Sequence, residues 1–375
     1  MTVELTYVGH LGNNLFQYAL ARIIAEARGA EMVLHSAVDQ DGWSQVERAS
    51  GIVDRLEHHL DAFEDLPQSL PGRSVISPQA RWVTHERSDW SKHGIPFDYL
   101  CSSATDLRIV LAGYFQRYEY FRGSREKIRA WFRLRPFTPL VEFHHDDVLV
   151  HLRRSLDMRI LDRMMAINFY AAELHAMRPR RVYLCGTGLD AQALRAFEAF
   201  DTEVIDGTGI DVFRTMTLAP RIILGNSTYS WWGAYLSDAR EIVFPRPLRG
   251  PFGPDRPEID LEVDEPRYRY VDHVETEQWR PFAPVLHGRS KWIERPDGIL
   301  IESATGVSTV LKFTQAKLKF ARWVMKRREP FGNQELFSET GLTLRAALPF
   351  LRQLEQVSFI EIDPMLSGKR DASGM

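Results

Sequence analysis

Val148-Leu149-Val150-His151-Leu152-Arg153-Arg154 is a short apolar run that ends in a histidine and two adjacent arginines. Its apolar residues, even with Leu156 further on, are too few for a long buried helix. The β-branched content and the preceding Asp146-Asp147 predict a strand of a parallel sheet. In open α/β sheets, ligands bind beyond the carboxyl ends of such strands. Two guanidiniums placed there are costly to bury without an anionic partner, and their planar forks suit phosphate oxygens. The competing reading is a surface Arg pair, salt-bridged to Asp157 or Asp162.

A chain of 375 residues is too long for one ordinary core and predicts two or three domains. The formal net charge of −3 gives no global signal for nucleic acid or an anionic membrane, so any anion site has to be local. The two cysteines, Cys101 and Cys185, are far apart and outside metal-ligand spacing. That fits a reducing compartment and predicts no structural zinc. Met1-Thr2-Val3-Glu4-Leu5 has no basic stretch leading into an apolar one, and the sequence contains no run of about 18 apolar residues. The expected location is cytoplasmic, with the inner membrane face as a peripheral alternative.

Upstream, Leu5-Thr6-Tyr7-Val8 reads as a first strand, Gly9-His10-Leu11-Gly12-Asn13-Asn14 as a loop, and residues 15–28 as a helix closed by Gly29. Gly9 and Gly12 let backbone approach a ligand, while Asn13 and Asn14 set neutral amides at the helix N-terminus. The G-x-G-x-x-G order of a dinucleotide fingerprint is absent. Residues 35–105 show weak periodicity and are expected to be irregular. Residues 108–116 read as a strand with a polar tip, and Tyr118, Tyr120 and Phe121 after it suit either a core or a sugar platform. A helix over 126–132 leads to Arg135-Pro136-Phe137-Thr138-Pro139, whose prolines mark a linker.

Beyond the Arg pair, helices over 168–177, 191–200 and 211–218 alternate with strands over 181–185, 203–205 and 222–224. Gly186-Thr187-Gly188 reads as a tight turn. The segment Gly225-Asn226-Ser227-Thr228-Tyr229-Ser230 then enters a helix at Trp231, mirroring the first junction. Hydroxyl residues at a helix start offer donors to a phosphate, with Ser227 or Ser230 as an ordinary N-cap the alternative. Two such units pointing loops at one cleft predict two facing Rossmann-like domains, 1–140 and 141–286.

Four stretches together resemble the family-11 α-1,2-fucosyltransferases of bacteria. Gly9-His10-Leu11-Gly12-Asn13-Asn14-Leu15-Phe16-Gln17-Tyr18-Ala19 is similar to G-G-L-G-N-Q-[LM]-F-Q-Y-A, and Gly113-Tyr114-Phe115-Gln116 with Tyr120-Phe121 to G-Y-F-Q…Y-F. His151-Leu152-Arg153-Arg154 resembles the start of H-x-R-R-G-D. Asn226-Ser227-Thr228-Tyr229-Ser230-Trp231-Trp232-Gly233-Ala234 resembles N-S-S-F-S-W-W-A-A. The resemblance implies a GT-B-like fold, a GDP-fucose donor, an oligosaccharide or glycolipid acceptor, and inverting transfer without metal or other cofactor. It implies that Arg153 binds the β-phosphate and His151 lies against the nucleoside. Ser227 and Thr228 contact the phosphates, Arg154, Asn226, Ser230 and Gly12 belong to the donor-binding site, Asp211 is the acid near the guanine, and Asn13 is close to the fucose. Leaving-group charge would then be met by guanidinium and helix-terminal amides.

Two departures bear on the chemistry. Arg153-Arg154-Ser155-Leu156-Asp157 lacks the family's Gly and displaces the carboxylate, so Asp157 or Asp162 is the candidate base. His10 replaces a glycine and puts a titratable group near the sugar site. The donor sugar can therefore differ from fucose.

From about residue 289 the family pattern has ended. A strand over 299–301, helices over 313–327, 333–340 and 344–356, and a strand over 357–362 predict a winged-helix-like α+β accessory domain, 287–375. That segment holds 14 Lys and Arg against 10 Asp and Glu, which leaves open a sugar-sensing regulator with a DNA-binding tail. Its third helix is too apolar for a recognition helix, so a protein partner or self-association is favoured over nucleic acid.

Overall fold

Val3 and Leu5 enter the core from β1 (Thr2–Thr6), which begins three residues before the apolar run predicts. Glu4 between them is held by a two-pronged ion pair with Arg108, which is how a carboxylate fits mid-strand. The following helix, α1 (Leu11–Arg28), also starts early, so Gly12, Asn13 and Asn14 form its first turn instead of preceding it. Buried Asn14 and Gln17 account for this. Asn14 donates to the carbonyl of Val8, and Gln17 donates to those of Val8 and Gly113, so the turn is tied down by side chains that hydropathy periodicity does not register. Gly29 closes the helix in the left-handed conformation, as the sequence predicts. With β2 (Glu31–His35), β3 (Arg81–Thr84) and β4 (Arg108–Ala112), β1 forms a parallel sheet of order β2-β1-β4-β3. Two short helices, α2 (Phe97–Cys101) and α3 (Arg125–Trp131), flank β4 in sequence.

The Val148 run is a strand, β5 (Val148–Arg153), buried at every position but Arg153. After it come β6 (Met164–Met165), α4 (Ile167–Met177), β7 (Val182–Thr187), α5 (Ala191–Arg195), β8 (Thr202–Val204), α6 (Gly209–Met216), β9 (Arg221–Ile223) and α7 (Thr228–Leu236). Then follow β10 (Glu241–Pro247) and β11 (Tyr268–Val274), which hydropathy alone does not announce. Six of these strands make a second parallel sheet, β11-β10-β9-β5-β7-β8. The turn expected at 186–188 is displaced, because β7 runs on through Gly186 to Thr187, paired with Leu152 and Arg153 of β5.

The computed structural model describes residues 1–35, 55–68, 81–84, 94–101, 108–155, 158–159, 161–277, 282–284, 291–295, 298–302, 308–311, 315–327, 329–356 and 360–362. They divide into two units, one of residues 1–155 and 163–276, the other of 156–162 and 277–375. Both parallel sheets belong to the first unit and share its core. At its centre α1 packs on α7, with the Phe16 ring 4.8 Å from the rings of both Trp231 and Trp232. Among the described residues no helix is long and apolar enough to cross a membrane.

In the second unit, strands Lys291–Arg295, Gly298–Glu302 and Ser308–Leu311 form an antiparallel sheet ahead of helices Gln315–Lys326, Asn333–Thr340 and Leu344–Gln356. The helices lie where the sequence predicts. Phe350, Leu351 and Leu354 of the last one are buried, which explains its apolar composition. The closing strand Ile360–Ile362 pairs with Phe282–Pro284.

Trp232 is wholly buried and packs its ring on Phe16, Phe121, Phe132, Trp231 and Tyr235. Trp232→Ala is expected to cost about 3–5 kcal/mol, read as a lowered midpoint in urea denaturation. A loss below about 1 kcal/mol would mean that the α1–α7 seam is not the centre of the core.

Candidate functional site

In the second sheet β5 and β9 are neighbours, and the chain proceeds from them in opposite directions, to β7 and β8 on one side and β10 and β11 on the other. In the first sheet β1 and β4 are neighbours with β2 and β3 outside them. Where strand order reverses, a crevice opens beyond the carboxyl ends of the two central strands. The loops leaving all four strands meet.

Gly12 marks the meeting point. A Cβ there would lie 2.6 Å from the amide nitrogen of Tyr229 and 2.7 Å from the carbonyl carbon of Thr228, so only glycine lets the N-terminal turns of α1 and α7 come this close. Asn13 joins them chemically. Its Oδ1 accepts from Gln116 Nε2 at 2.6 Å and from Thr228 Oγ1 at 3.1 Å, while its Nδ2 has no partner among the described residues. Gln116 reaches Asn13 through a contorted turn in which buried Phe115 has φ +54°, a conformation costing on the order of 1–3 kcal/mol for a bulky residue. His10 is the N-cap residue of α1 but makes no side-chain cap bond, and it is half-buried.

The other wall is built from the end of β5. The His151 ring is buried 5.5 Å from that of Tyr229, and its Nδ1 has no hydrogen-bond partner among the described residues. Burial first, and the charge of Arg153 second, push its pKa down to about 3, so the imidazole is neutral at pH 7. Gly225 makes room for it, since a Cβ there would lie 2.4 Å from His151 Nδ1. Arg153 is partly exposed, whereas Arg154 is buried and its backbone N–H bonds to the carbonyl of Thr187. Consecutive strand residues point to opposite faces, so of the pair only Arg153 stays open to solvent.

Ser227 is the N-cap of α7, accepting from the Tyr229 amide. Ser230 is buried inside the helix, and its hydroxyl donates to the carbonyls of Gly225 and Ser227, so it supports the turn. Asn226 is a clamp: it donates to the carbonyls of Arg163 and Arg249 and accepts from the Phe252 amide. Asp211, in the first turn of α6, accepts from the Thr208 hydroxyl at 2.5 Å. That helix is drawn to the site by the Tyr229 hydroxyl, which donates to the Gly209 carbonyl, and by Phe213 against the Tyr229 ring. Asp157 lies outside the described residues, and Asp162 belongs to the second unit.

The sequence-derived candidates Gly12, Asn13, His151, Arg153, Asn226, Ser227, Thr228 and Asp211 thus line or brace one region of the first unit. Sequence reasoning did not assign roles to Gln116, Tyr229 or Arg163. The first two stood inside quoted motifs, and no local signal marked the third. Among the described residues one group has metal-ligand spacing, His144, His145 and Asp146, at the amino end of β5 and therefore opposite the crevice. Asp146 is already paired with His145 and Arg240.

No family model matches the chain, and no curated protein matches its sequence. Among solved structures, the chain is similar to the fucosyltransferase NodZ from Bradyrhizobium, at 16% identity over 64% of this chain and 93% of that one, with a TM-score of 0.39. It is similar to POFUT1 in complex with GDP-fucose at 11% identity over 64% of this chain and 94% of that one, TM-score 0.33. For the E. coli heptosyltransferase WaaC with ADP the values are 13%, 72%, 91% and 0.36. With every TM-score below 0.5, these likenesses decide neither donor nor acceptor.

Because the folded pKa of His151 lies below its ordinary 6.5, the unfolded chain takes up this proton first as the pH falls. Stability from this group is therefore complete above pH 6.5 and is lost towards pH 3, at up to about 1.4 kcal/mol per pH unit. Denaturation midpoints of wild type and His151→Gln between pH 4 and 7 are expected to converge on acidification. Parallel profiles would show that the imidazole is not buried neutral. Gly12→Ala is expected to lower stability by roughly 1–3 kcal/mol through overpacking at the helix junction, and an unchanged melting temperature would contradict the contact drawn above.

Proposed function

We propose that the chain is an inverting glycosyltransferase that moves fucose, or a related sugar, from a GDP-sugar to a hydroxyl of a glycan acceptor, in α-1,2 linkage and in surface polysaccharide synthesis. The observation that carries this reading is the convergence of the α1 and α7 N-termini on Asn13, with the charge of partly exposed Arg153 acting on His151, whose ring packs against Tyr229 of α7. Two helix starts present backbone donors and positive dipole ends to one place, which suits a diphosphate. The four motifs quoted above lie at the ends of β1, β4, β5 and β9, where a donor and acceptor would meet.

The acceptor hydroxyl attacks the anomeric carbon from the face opposite the diphosphate. A new C–O bond forms as the bond to the β-phosphate oxygen breaks, and the electron pair leaves with GDP. Arg153 and the helix-terminal amides stabilise the charge that develops on that oxygen. Neutral His151 packs beside the nucleoside, with Tyr229 and Asp211 behind it. The free Nδ2 of Asn13 donates to a sugar hydroxyl. The acceptor proton passes to a base, for which His10, one turn before Asn13, is the candidate within this unit. The second unit serves a protein partner or self-association.

Arg153→Lys keeps the charge and loses the two-pronged geometry. Its turnover with GDP-fucose is expected to fall by roughly 30- to 1000-fold, with an unchanged melting curve. Near-normal turnover would reduce Arg153 to a strand-end charge. Excess EDTA is expected to leave transfer intact, because Arg153 and the helix termini supply the positive field. Complete loss, restored by Mg or Mn, would reject that mechanism.

A further inference from the structure

Asn226, Arg163, Asp255 and Gly250 close a ring beside the N-cap of α7. Asn226 Nδ2 donates to the Arg163 carbonyl at 3.1 Å, and the Arg163 guanidinium approaches Asp255 Oδ2 at 3.5 Å. Asp255 Oδ1 accepts from the Gly250 amide at 2.7 Å, and Gly250 abuts Asn226 so closely that a Cβ there would strike its side-chain amide. Asn226 also holds the Arg249 carbonyl and the Phe252 amide, so the segment carrying Asp255 is strapped to the residue that precedes Ser227.

The charge in this ring is incompletely matched. The Arg163 side chain is 21% exposed, yet its carboxylate partner stands at 3.5 Å, longer than a close charge-assisted bond. Burial lowers the Arg163 pKa; Asp255 and, more weakly, Glu258 oppose this, and the charges of Arg256 and Arg153 add to the lowering. Arg256 is itself paired to Glu258. A partly desolvated cation whose one direct ion pair is long, in the field of two further guanidiniums and on a backbone tied to the residue before a helix N-cap, has unused capacity for an anion.

We infer that Arg163 is a second diphosphate-binding guanidinium of the donor site, and that Asp255 is the internal carboxylate from which it is released when phosphate arrives. The inference rests on the GDP-sugar reading for the identity of the nucleotide, while the ring itself specifies only a diphosphate. Arg153 at the end of β5 and Arg163 before β6 then grip the leaving group from two segments, and the Asn226 clamp sets their spacing. No covalent step is added to the reaction.

The test is calorimetric titration of the full chain with inorganic pyrophosphate, GDP and guanosine, at low and moderate salt. Arg163→Gln is expected to bind pyrophosphate and GDP roughly tenfold to a hundredfold more weakly than wild type, with guanosine binding and the melting curve unchanged. Asp255→Asn is expected to bind pyrophosphate more tightly than wild type. Wild-type pyrophosphate affinity in Arg163→Gln overturns the inference, and so does an equal loss for guanosine, which would make the residue merely structural. If Arg163→Gln fails to fold, Arg163→Lys decides, with weaker pyrophosphate binding supporting the inference and wild-type affinity overturning it. A wild type that binds pyrophosphate through Arg163 but shows no preference for GDP upholds the inference and rejects the guanine donor. A wild type that binds neither pyrophosphate nor GDP rejects both.

Discussion

One carboxamide oxygen fixes the relation between the two α/β halves of the first unit. Asn13 Oδ1 accepts from Gln116, which leaves β4, and from Thr228, which opens α7, so a single atom coordinates loops from both sheets. Two hydrogen bonds are worth only about 1–3 kcal/mol together, too little to hold the halves in place. That work falls to the aromatic seam of Phe16, Trp231, Trp232 and Phe132 beneath them. The seam supplies stability, and the amide supplies register. Gly12 is the condition for both, because the helix starts can touch only where no Cβ intervenes.

The charges follow from the strand alternation. In β5 both faces are apolar and buried up to Leu152, and the carboxyl end emits His151, Arg153 and Arg154; pleating separates Arg153 from Arg154, while His151 and Arg153 share a face and differ because Arg153 lies at the strand's end. His151 becomes a buried neutral ring, Arg153 stays accessible, and Arg154 is covered. A neutral imidazole beside a guanidinium keeps the positive field on the arginine and leaves the ring as a packing and hydrogen-bonding surface.

Much of this was legible in the sequence. The Val148 run, the Gly29 cap, the hydroxyl-rich junction at 226–230 and the early Gly-Asn loop each express a local rule, and their spacing points to two parallel sheets with loops meeting at one end. The strands β10 and β11 were less visible, because Arg and Pro interrupt the first, and Arg, Asp and His the second. The early start of α1 depended on Asn14 and Gln17, polar residues buried by contacts nearly a hundred residues apart in sequence, as with Gly113. Ser230 looked like a ligand donor and is a brace, since its hydroxyl is engaged by carbonyls of its own turn. Arg163 carried no motif at all. Its setting comes from Asn226 and Asp255, which are distant in sequence and near in space.

The convergence of two helix starts on one diphosphate is most directly tested by a crystal structure of the protein with GDP bound. The account predicts β-phosphate density within hydrogen-bond distance of the Arg153 guanidinium, at the N-terminal turn of α7, with the nucleoside along His151 and Tyr229. Density for the phosphates away from both Arg153 and residues 227–229 would contradict it.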